Sequence, residues 1–129
     1  MASREIISEL SVDQFKDLYS KLGKNIIILK FTATWCKPCK KVKPLVDEWF
    51  NKLTSNIIIV EIDIDESMDL YVTLKSKKMV NGIPVLLAYY EPQDKDPNHW
   101  FIPSDSVTGA DEKGINGFFS RIQIKAASQ

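Results

Sequence analysis

The chain has 129 residues, enough for one domain of ordinary size and too few for two. Hydrophobic residues make up 44% and charged residues 26%, ordinary values for a soluble globular protein, and a chain this long needs no metal or disulfide staple to hold a core. Lys+Arg and Asp+Glu are 17 each, so the formal net charge is zero, which argues against nucleic acid or an anionic membrane as main partner.

The opening segment, MASREIISEL, lacks the apolar core of a secretory signal, and no apolar run approaches membrane-span length. A cytoplasmic setting is the expectation. EIISEL at 5–10 suits a short first strand. Ser11 and Gln14 form a capping-box signature. Val12, Phe15, Leu18, Tyr19 and Leu22 follow at helical spacing, with Gly23 as the stop. The run IIILKF then reads as a strand covered on both faces.

The segment from Cys36 to Leu53 is the strongest helix. Val42, Leu45, Val46, Trp49, Phe50 and Leu53 fall on one stripe, and Pro44 inside it should kink the axis. IIIVEIDID is a second buried-strand pattern, 67–77 a moderate helix, and VLLAYY a third strand after Gly82-Ile83-Pro84. Residues 91–99 are polar with two prolines and read as a surface loop, after which Trp100, Phe101 and Ile102 suit a short edge strand. Asp111 or Thr108 can cap a last helix carrying Ile115, Phe118, Phe119 and Ile122, although Gly114 and Gly117 weaken it. Strands alternating with helices imply one α/β domain, a central sheet covered on both faces with parallel strands joined by right-handed crossovers, and an antiparallel final pair.

The two cysteines, Cys36 and Cys39, form one C-x-x-C between a buried strand and a helix. In a reducing compartment such a pair is usually catalytic or metal-binding. Unpaired N–H groups and the helix dipole favour a thiolate in the first turn, where the thiol pKa can fall from about 8.5 to about 7 or below. Lys37, Lys40 and Lys41 oppose that dipole. They read either as a solvated face or as cations that stabilise a thiolate or dock an acidic partner. Pro38 suits the first turn. The i,i+3 spacing places both sulfurs on one side of a turn. Zinc would need four ligands, and the chain offers two cysteines and one histidine, His99, which sits in the polar loop. A purely structural disulfide would close too short a loop to stabilise much.

FTATWCKPCKKVKP at 31–44 resembles the active-site segment of the thioredoxin family, and FTATWC is most similar to its plant h-type members. Gly82-Ile83-Pro84 resembles the family's cis-proline loop, and Val107-Thr108-Gly109-Ala110 the stretch before its last helix. The resemblance covers residues 5 to 125 or so and implies the thioredoxin fold, a mixed sheet of about five strands flanked by about four helices. By that resemblance Cys36 is the exposed nucleophile and Cys39 the buried resolving thiol. Trp35 covers the site and offers a docking surface, and Pro38 sets the redox poise. Pro84 is the cis-proline, and Ile83 offers backbone hydrogen bonds to substrate. The activity implied is reduction of protein disulfides, by a monomer without cofactor or metal. A thioredoxin-reductase-like protein or a small thiol would re-reduce it. The alternatives are a disulfide oxidase or isomerase, a glutathione-dependent role that Trp35 fits less well, and a non-catalytic binding module.

Three departures from the family pattern stand out. Lys37 replaces the usual glycine and should make the pair more oxidising. Lys30 stands where the family has a buried aspartate, and Glu61 where it has a lysine, so the two should pair with charges exchanged and Glu61 accept the proton of the resolving thiol. The other reading of Lys30 is a side chain that snorkels to solvent. Finally, 91–106 and the helix after Asp65 look longer than usual. The insertion is expected either to cover the sheet edge or to recognise a partner.

Overall fold

The computed structural model describes residues 5–90 and 96–129. Five strands, β1 (Ile6–Ile7), β2 (Ile26–Thr32), β3 (Ile57–Asp63), β4 (Val85–Tyr89) and β5 (Asp105–Thr108), form one sheet in the order β1-β3-β2-β4-β5. Helices α1 (Val12–Ser20), α2 (Lys37–Lys52), α3 (Asp69–Ser76) and α4 (Glu112–Ala127) cover its two faces. β1, β3 and β2 run parallel, while β4 runs antiparallel to β2 and β5 antiparallel to β4.

Period two sorts β2 between the layers. Ile27, Leu29 and Phe31 face α1 and α3, while Ile26 and Ile28 face α2 and α4. On β3, Val60 and Ile62 take the first face, Ile57 and Ile59 the second. By the same alternation Lys30 and Glu61 project toward α2 and α4, side by side in the β2–β3 register.

The first helix matches its signals. The Ser11 hydroxyl accepts from the Gln14 N–H at 3.1 Å, and the Gln14 side chain accepts from the Ser11 N–H at 2.9 Å. Gly23, at φ +56, takes the left-handed turn just beyond the helix, which favours glycine. α2 runs through Pro44, and Asp111 caps α4 by accepting from the Lys113 N–H.

Three expectations are corrected. Trp100–Ile102 is not a strand: it follows a short 3-10 turn, Pro97–His99, and the edge strand is Asp105–Thr108. Trp100 is instead drawn inward against Phe15, with centroids 5.8 Å apart, because its ring buries more surface there than an edge position allows. The helix after Asp65 is shorter than the expected 67–77. It has eight residues and starts at Asp69, whose carboxylate accepts from the Val12 N–H at 3.0 Å. β1 has two residues rather than six. The 91–95 part of the polar loop lies outside the described residues.

The apolar end of the insertion thus packs on the α1–α3 layer. The Tyr89 hydroxyl donates to the Phe101 carbonyl at 3.0 Å, and Lys77 lies 4.4 Å from the Phe101 ring centroid. Burial of the Tyr89 phenol, with Tyr19 adding to it, pushes its pKa well above the usual tyrosine value.

Candidate active site

β2 delivers the chain to Ala33, and three residues later Cys36 caps α2. Cys36 has extended backbone, and its sulfur accepts from the Cys39 N–H at 3.2 Å, the place a serine or aspartate oxygen usually takes. Pro38 falls in the first turn, where its missing N–H leaves no gap in the ladder. Lys37 opens the helix, which lacks any acidic residue in its first turn.

Cys36 and Cys39 are joined as a disulfide, with Cα atoms 5.3 Å apart, inside the usual range. Ala33, Ile64 and Ile83 pack around it. Cys36 is 4% exposed and Cys39 2%, so the expectation of an exposed Cys36 does not hold in the disulfide. The bond turns its sulfur toward Cys39 and into that apolar cluster.

The Ile83–Pro84 peptide is cis, as the resemblance implied and as base rates alone did not favour. Gly109 ties this loop to the end of β5: its N–H donates to the Pro84 carbonyl at 2.8 Å, at a φ of +93 that favours glycine. Trp35 is 61% exposed and offers its ring to solvent. Its indole N–H donates to Asp65 at 2.7 Å. Asp65 is the site residue that the sequence reading missed. Its one signal was the acidic run at the end of IIIVEIDIDE.

Lys30 and Glu61 do meet, Nζ to Oε1 at 3.0 Å. Lys30 is 1% exposed, which overturns the snorkelling alternative. Glu61 retains 18% exposure and connects the buried cation to the surface. Lys30 and Pro84 line one small cavity together with Val42, Val46 and Gly109, which places Lys30 near the cis-proline loop. Nearby, the hydrogen bond to Asp47 holds the Lys43 ammonium above its ordinary range, and the charge of Glu61 adds to this.

Lys37, Lys40 and Lys41 are exposed and make no ion pair among the described residues. No group of three or more His, Cys, Asp or Glu converges among the described residues in a way that could hold a metal. His99 lies in the exposed 3-10 turn, beside Phe101 and away from the disulfide cluster.

The thioredoxin family model matches residues 6–107. The chain belongs to the thioredoxin family. A thioredoxin of Callithrix jacchus is 36% identical over 59 residues, 46% of this chain and 55% of that one. The Equus caballus thioredoxin is 32% identical over 69 residues, covering 54% and 65%. The chain thus spans between half and two thirds of the length of these curated relatives. The crystal structure of Malassezia sympodialis thioredoxin aligns over 94% of both chains at TM-score 0.65 and 22% identity, a likeness of fold. The five-stranded mixed sheet and four helices are the thioredoxin fold.

Proposed function

We propose that this chain is a thiol–disulfide oxidoreductase that reduces protein disulfides through Cys36 and Cys39. The observation that carries the reading is the Cys36–Cys39 disulfide at the start of α2, packed against Ile83 of the cis-proline loop in a thioredoxin-family chain. In the reduced protein, the unpaired N–H groups of the first turn, the helix dipole and Lys37 favour a Cys36 thiolate. That thiolate attacks one sulfur of a substrate disulfide, forming a mixed disulfide and expelling the other sulfur as a thiolate. Cys39, on losing its proton, attacks Cys36 and expels the second substrate thiolate. Two electrons pass to the substrate, and Cys36–Cys39 becomes the disulfide. A thioredoxin-reductase-like protein or a small thiol then restores the dithiol.

The remaining residues take supporting roles. Glu61, held by Lys30, accepts the Cys39 proton directly or through water. Trp35 supplies an apolar docking surface, Pro38 helps set the redox poise, and the Ile83 backbone hydrogen-bonds an extended substrate beside Pro84. The protein works as a cytoplasmic monomer.

Lys37 favours a second reading, an oxidase or isomerase, since a cation beside the thiolate stabilises the reduced form. The test uses cysteine variants with a disulfide-bridged peptide. The wild-type dithiol should reduce the peptide stoichiometrically. Cys39→Ser should stop at a mixed disulfide visible by intact mass, and Cys36→Ser should neither reduce nor trap. A Cys36→Ser protein that still binds partners, beside a wild type that reduces nothing, would mean a binding module instead.

A further inference from the structure

The face around the disulfide is electrically polarised. Lys37, Lys40 and Lys41 stand at i, i+3 and i+4 on α2, so they form one stripe with Cβ atoms about 5–6 Å apart, beginning beside Cys36. The stripe is exposed and makes no ion pair among the described residues, whereas Lys43 and Lys52 of the same helix pair with Asp47 at 2.9 Å and Glu48 at 3.2 Å. Cations in a first turn oppose the dipole, so helix stability does not account for them. They are also not the overflow of a basic protein, because the net charge is zero.

The opposite flank is acidic. The segment joining β3 to α3 sets Ile64 against the disulfide and carries Asp65 and Glu66, both exposed. Trp35, exposed and bonded to Asp65, joins the two flanks.

We infer that this site selects disulfides whose cysteine carries acidic residues on one side of the substrate chain, the side that lies along α2. Lys40 and Lys41 attract those residues, while Asp65 and Glu66 repel them from the other flank. The inference rests on the oxidoreductase reading and names the substrate class of that same site, an acidic peptide segment. Such contacts are exposed, so they act over about 10 Å at 0.1 M salt and fade as salt rises.

The test uses protein reduced with dithiothreitol, freed of it, and mixed in single turnover with three peptide dimers, each joined through one cysteine per strand. The cysteine is flanked by glutamine on both sides, by two glutamates before it, or by two glutamates after it. Each rate is divided by the rate of dithiothreitol on the same peptide, which removes the intrinsic reactivity of the disulfide. One of the two glutamate peptides should react roughly three- to tenfold faster than the glutamine peptide. The gain should vanish at about 0.5 M salt and in the double variant Lys40→Gln, Lys41→Gln. If neither glutamate peptide outpaces the glutamine one, or if the gain survives in the double variant, the selection is overturned while the oxidoreductase reading stands. If no peptide is reduced, both fall together.

Discussion

A lysine ammonium that is 1% exposed must have its charge answered nearby, and Glu61 answers it at 3.0 Å. The two partners differ in burial, so their removal has unequal effects. Glu61→Gln strands a buried cation and should cost about 3–5 kcal/mol. Lys30→Met leaves a carboxylate that water can still reach and should be near neutral. Urea unfolding of both variants checks the asymmetry. Stopped-flow resolution of the mixed disulfide checks the proton role, and a Lys30→Met rate equal to wild type would remove it. Tyr89 gives a pH dependence. Tyr89→Phe should cost about 1 kcal/mol at neutral pH through the lost bond to the Phe101 carbonyl. The buried phenol has a raised pKa, so the folded state keeps a proton that the unfolded chain releases above about pH 10. Wild-type stability therefore falls with pH there, and its advantage over Tyr89→Phe should shrink, as unfolding at pH 9 and above can show. Among single residues, the cysteine pair was legible from its spacing and Lys30–Glu61 from the family resemblance, and the 3.0 Å contact agrees with the second. Asp65 was not, since its bond to Trp35 depends on how the connection after β3 closes, which neither local spacing nor the motifs of the resemblance give.

Elements were legible where local chemistry and burial agree. α1 has its capping box, β2 and β3 their β-branched runs, and α2 its apolar stripe. They were misread where tertiary packing decides. Trp100, Phe101 and Ile102 look alike in sequence, yet Trp100 is 8% exposed and Ile102 46%. Trp100→Ala should therefore cost about 3–5 kcal/mol and Ile102→Ala less than about 0.5 kcal/mol, compared by thermal or denaturant unfolding. Similar losses would mean that the insertion is not anchored through Trp100. The reversal of β4 was hidden for a related reason: a helix-containing connection fits a parallel return by default, and only the pairing of β4 with β2 shows the antiparallel one.

At the scale of the molecule, the sheet brings separate stretches of chain to one end. The Cys36 turn follows β2, Ile64 follows β3, and the Ile83–Pro84 loop precedes the antiparallel β4. The mixed five-stranded architecture was legible because the active-site segment and the strand–helix alternation point to the same fold, but the burial of Cys36 depends on how these three connections close around it. The proposed oxidoreductase function requires this buried disulfide to be a working redox couple and not a staple. The direct test is its equilibrium reduction potential in defined thiol buffers, read by alkylation and mass. A value at or somewhat above about −270 mV, the level typical of thioredoxins, and below about −200 mV, is the expected result for a reductant shifted slightly by Lys37. A value below about −300 mV would mark a structural disulfide and contradict the claim, and one at or above about −200 mV would replace the reductase with an oxidase or isomerase.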